Sequence, residues 1–265
     1  VYKGYMAFKF RQHRAGAVYV TIGIIFFATI MLLAYSEFDL AEMIGAAQGG
    51  QDFLRAMAGA RGVLTWDISA FMGMVWRHPL VLVLVIGSAI SLGGDFAAGE
   101  IGDKTADLVF ARPVTRTRLL YKHLGVASGL LLGMTAVFSL AVFTGANALG
   151  LEPPAFARFA LAGGQYFVFL WTVLLLSYLV GAVSLQGKSV LAIVGGVLSA
   201  MYAIELVGGL WATFEPLLPY SLFTYLTPAG ALMGDQAART DTLIMLGVAA
   251  VALAVTHVLM RRRDL

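Results

Sequence analysis

The 265-residue chain has no cysteine. That excludes disulfides, thiolate catalysis and cysteine-ligated metals. Charge is also scarce: Asp, Glu, Lys and Arg make up 12% of residues, while hydrophobic residues reach 60%. A soluble domain runs nearer to about 45–50% apolar and about 25% charged. A composition this apolar cannot coat a soluble core, so the sequence reads as a polytopic membrane protein. Neither a cytosolic enzyme, a secreted disulfide scaffold nor a disordered chain fits. The first apolar run is long and has no clear small-residue cleavage site, so it reads as a span and not as a signal peptide.

Charge-free runs set the layout. The expected class is all-α, with six transmembrane helices in a single transmembrane domain over 1–265. The spans fall at about 15–36, 74–94, 123–150, 159–186, 189–211 and 241–260, each able to cross about 30 Å of hydrocarbon. An inner loop covers 95–122, and outer loops cover 37–73 and 212–240. The second run is short, so it borrows from Phe71–Trp76, with Arg77 and His78 expected to snorkel outward. The seven prolines all lie at run boundaries or in loops, as expected from their poor fit to helix interiors. With both termini cytoplasmic, 13 of the 18 Lys and Arg residues face inside, as the positive-inside rule requires. Leu64, Ile68, Phe71, Met72 and Val75 form one helical stripe. It predicts a helix lying on the membrane surface or leading into the second span.

Side chains that bear chemistry are few. His13, His78, His123 and His257 are scattered without ligand spacing and read as interfacial residues, so no metal site is expected. Ser88 and His257 offer the nearest nucleophile–base pair, at ill-matched depths. Gly187-Lys188-Ser189 imitates the end of a P-loop. It lacks the upstream glycine, since position 182 is Ala, and it reads as a hairpin turn between spans. The chain is therefore expected not to be an enzyme, with no cofactor of its own and no nucleic-acid partner. Gly125, Gly129 and Gly133 share a helix face and predict close helix packing, within or between subunits. Glu205 is the acid set deepest in an apolar run. It reads either as a possible intramembrane polar site or as an interfacially solvated group.

The inner loop is amphipathic and short. It carries Glu100, Thr105, Leu108, Val109, Phe110, Arg112, Pro113, Arg116 and Arg118. A short helix over 105–111 should stop before Pro113, and Thr115 is a plausible N-cap for the helix that follows. Such a loop suits a partner surface better than a catalytic site.

In order, Glu100, Thr105, Leu108-Val109-Phe110, Arg112-Pro113-Val114-Thr115-Arg116, Leu119-Leu120 and Lys122 resemble the first cytoplasmic loop of ABC-2-type permeases. Lys104 stands where that family has glycine, and Phe8-Lys9-Phe10-Arg11 lacks the acid of its leading helix. The turn from Ser184 to Ser189 and the outer stretch from Pro219-Tyr220 to Thr227-Pro228 are also similar to that family. The resemblance implies the permease half of an ABC exporter in a bacterial or archaeal plasma membrane. It implies two permeases, identical or paralogous, joined to two separate ATPase subunits that hold ATP and Mg. The loop near 100–118 would be the coupling helix, seated in an ATPase groove. The competing classes are a secondary transporter without an ATPase and a membrane-embedded enzyme. The first should show charged residues at the membrane midplane, and the second a converging polar constellation.

Overall fold

The computed structural model describes residues 2–37, 68–96, 116–184 and 186–262. Among these the chain is all-helical, with no strand. In order come α1 (Tyr2–Glu37), α2 (Ile68–Arg77), α3 (Pro79–Gly94), α4 (Arg116–Ala148), α5 (Phe156–Val183) and α6 (Gly187–Leu210). Two 3₁₀ turns follow, Ala212–Tyr220 and Leu222–Tyr225, then α7 (Pro228–Met233) and α8 (Ala237–Arg262). Five helices are long and apolar enough to cross a membrane, or six if α2 and α3, bent by 47° at His78, form one broken span.

The bend has a local cause. Pro79 occupies the first position of α3, where its missing N–H costs nothing, and His78 caps the new helix by accepting from Leu80 N at 3.3 Å. At the other boundary, α7 closes on Gly234, whose φ of +84° suits glycine. Asp235 Oδ1 then accepts from Ala237 N at 2.9 Å and starts α8.

The long helices are apolar on every side, for two reasons that α1 makes plain. Ile24, Ala28 and Leu32 are buried against the protein, while Val18, Ile22, Phe26 and Ile30 are exposed on the opposite face. In a bilayer that second face meets lipid, so periodicity contributes little to the pattern. Hydroxyls inside these helices bond back to the preceding turn, as Thr135 does to Leu131 O and Ser177 to Val173 O. These hydroxyls are thereby satisfied within their own helix.

The core is built around α5, which touches α3, α4, α6, α7 and α8. Its Tyr166, Phe169, Leu170, Val173 and Leu174 are wholly buried. Trp76 of α2 packs between Phe138 of α4 and Phe159 of α5. The stripe on α2 faces protein and not a membrane surface: Phe71, Met72 and Val75 are buried, and α2 lies against α7. Leu64 is outside the described residues.

Candidate functional site

Two polar clusters and one apolar groove stand out, and both clusters join helices far apart in sequence. The first lies where α1 and α4 begin and α3 ends. Asp95 follows the last residue of α3 and draws three nitrogens to one oxygen, Oδ2: Lys9 Nζ at 2.6 Å, His13 Nε2 at 3.1 Å and His123 Nε2 at 3.6 Å. Its other oxygen, Oδ1, accepts from Gln12 Nε2 at 3.3 Å. Lys9 and His123 are buried. Burial would raise the Asp95 carboxyl. Its contacts with His123, His13 and Lys9 more than reverse that and hold it well below the usual carboxylate range. Tyr178 of α5 hydrogen-bonds His123 Nδ1, and Phe96 packs against both rings. The histidines that sequence spacing leaves scattered are therefore not all separate interfacial residues, since two of them meet at one carboxylate. Helix contacts bring His13 to Asp95 across 82 residues of chain, which no local spacing signals.

This cluster is also where the inner loop leaves and rejoins the bundle. Asp95 and Phe96 lead into it, and α4, which carries His123, leads out. Of the coupling residues, Glu100, Thr105, Leu108, Val109, Phe110, Arg112 and Pro113 lie outside the described residues. Arg116 opens α4, and Arg118, two residues on, is exposed.

The second cluster sits at the opposite end, at the break between α2 and α3. Arg77 does not snorkel outward. It is buried, donates from Nη1 to the carbonyls of Phe223 and Leu226, and reaches Glu205 from Nη2 at 3.2 Å. Thr224 donates to the other Glu205 oxygen. Glu205 is 1% exposed, so it is a paired buried acid and not an interfacially solvated one. Beside it, Gln165 of α5 donates to Ala238 O at 3.0 Å and to Thr227 Oγ1 at 3.1 Å. Thr227 in turn donates to buried Asp241 at 3.1 Å. The segment between α6 and α8 is thus folded back onto the bundle by side chains from α2, α5 and α6.

The groove lies between α3 and α6. It holds about 300 Å³ and is lined by Leu82, Val83, Ile86, Leu198, Tyr202 and Phe223 among others. Among the described residues, no charged side chain lines it. Such a surface receives apolar molecules through area and shape, with little orienting chemistry.

Three features of the sequence find different places. A Cβ added at Gly125, Gly129 or Gly133 meets nothing within 4 Å, so no other part of the described chain packs on that face. Close approaches occur instead at Gly73, where a Cβ would strike Ala229, and at Gly93, where it would lie 2.5 Å from Ser177 Cβ. Ser88 bonds to Leu84 O and His257 to Tyr121, so neither engages the other. Gly187 and Lys188 open α6 directly after α5.

The family model described as "Multidrug efflux system permease Rv1217c, C-terminal domain" matches residues 3–261. No curated protein matches the chain.

Proposed function

From the premise that the chain belongs to the family of the multidrug efflux system permease Rv1217c, C-terminal domain, we propose that it is the permease subunit of an ATP-driven ABC exporter of the ABC-2 type. It moves apolar compounds across the plasma membrane, with both termini in the cytoplasm. Separate ATPase subunits hold ATP and Mg and dock on the loop between Asp95 and Lys122. The permease acts with a second copy or a paralogue and is not itself an enzyme.

The observation that carries this reading is where the loop is rooted. Both of its ends reach the Asp95 cluster, which ties α1, α3, α4 and α5 together. A partner that pulls on the loop therefore pulls on four helices at once. ATP can power such a chain only through a partner that favours one of its conformations over another. The groove supports the substrate class: α3, which leads to the loop, forms one wall of it. The two polar clusters lie at helix ends, whereas ion-coupled transporters place their coupling sites near the bilayer midplane.

Phe110→Ala tests the docking. Burial of a large apolar side chain is worth about 1.5–3 kcal/mol, so its loss should weaken ATPase binding by about ten- to a hundredfold. The change leaves the Lys and Arg count, and hence topology, untouched. Arg116→Glu should weaken binding as well, by opposing the partner's charge. A pull-down of the purified permease with its ATPase, followed by hydrolysis assays in lipid, reads both effects. Wild-type binding and turnover in both variants would remove the docking assignment.

A further inference from the structure

We propose that His13, Asp95 and His123 form a binding site for a divalent transition ion of the zinc class, in competition with the ammonium of Lys9. The three ligand atoms come from three elements and all lie within 4.8 Å of one another. Metal–ligand bonds of 2.0–2.1 Å place tetrahedral ligands about 3.3 Å apart. Two of the three edges, 3.1 Å from His13 and 3.6 Å from His123 to Asp95 Oδ2, bracket that spacing.

Two further observations point the same way. The His123 ring is oriented through its far nitrogen by Tyr178, the outer contact that metal-bound histidines require. A cavity of about 320 Å³ between α1 and α3, lined by His13, Ser88 and Ser91 and otherwise by small and apolar residues, opens beside His13.

Lys9 defines the competition. Its Nζ lies 2.6 Å from the oxygen that would ligate the ion, so a bound dication and a nearby ammonium repel each other. Gln12 stays on the other carboxylate oxygen and presents no charge. An ion at this point cross-links α1 to α3 and α4 at the root of the inner loop. The inference does not depend on the exporter reading.

The test is Co²⁺ binding to the permease in detergent. No cysteine is present to contribute thiolate bands. The expected result is one Co²⁺ per chain with the visible bands of four-coordinate cobalt, displaced by Zn²⁺. His13→Ala and His123→Ala should each abolish it, and Tyr178→Phe should weaken it about tenfold. Lys9→Met should tighten it by at least about tenfold, because a like charge beside the ion is gone. Removing the remaining two histidines, as His78→Ala with His257→Ala, should leave the bands in place, which keeps the test valid even if a ligand variant does not fold. Loss of the bands in that double variant would overturn the proposal. So would their absence in both wild type and Lys9→Met, or their persistence in His13→Ala and His123→Ala.

Discussion

Arg77→Ala should destabilise the permease by roughly 3–5 kcal/mol, the cost of breaking a buried ion pair by removing one partner. The pair is closed to water, with side-chain exposures of 5% for Arg77 and 2% for Glu205. Truncation leaves the Glu205 carboxylate buried with Thr224 alone of the partners described above, and strips the carbonyls of Phe223 and Leu226 of their donor. These losses share one network, so their separate costs do not add. The segment between α6 and α8 should come loose first, because Arg77 is the side chain of α2 that holds it. Unfolding in detergent measures the total, and hydrogen exchange over 218–226 locates it. Replacing both partners with apolar residues, as Arg77→Met with Glu205→Leu, should recover a large part of the loss, since no uncompensated charge remains. A single variant within about 0.5 kcal/mol of wild type would mean that the pair is not closed in solution.

Gly93→Leu should damage the core strongly. A Cβ there lies 2.5 Å from Ser177 Cβ and 2.9 Å from the Leu174 carbonyl, so α3 and α5 would have to separate along a main contact of the core. Overpacking of this kind costs about 1–3 kcal/mol or more, and a backbone carbonyl cannot turn aside as a side chain can. Gly129→Leu is the matched control. Nothing lies within 4 Å of its added Cβ, so stability of the single chain should change by less than about 0.5 kcal/mol. If the same variant weakens association between permease copies, the 125–129–133 face meets another chain. If association holds, the face meets lipid. Equal thermal stability of Gly93→Leu and wild type would contradict the α3–α5 packing.

Much of the helix layout is legible in the sequence because bilayer thickness and charge avoidance act on contiguous runs. The prolines mark breaks for the same local reason: Pro79 opens α3 and Pro228 opens α7. Pairings between helices are not legible in this way. Arg77 and Glu205 are 128 residues apart, and an isolated arginine at a run boundary reads equally well as a snorkelling residue. His13 and His123 look unrelated until α1 and α4 pack side by side. The regular Gly125, Gly129 and Gly133 spacing is conspicuous, whereas the close approaches at Gly73 and Gly93 have no spacing to display. A close approach is a property of two helices, and periodicity reports on one. The groove escapes sequence reading too, since its lining has the same apolar composition as the lipid-facing surfaces beside it.

On the exporter reading, ATP drives this chain through a partner. The most telling measurement is transport of a lipophilic fluorescent dye into inside-out proteoliposomes holding the permease together with the ATPase proposed to partner it. Ionophores collapse every ion gradient during the assay. The expected result is accumulation that requires ATP, persists with the ionophores present, and is lost with Phe110→Ala. Accumulation that proceeds without ATP and stops when a proton or sodium gradient is collapsed would contradict it.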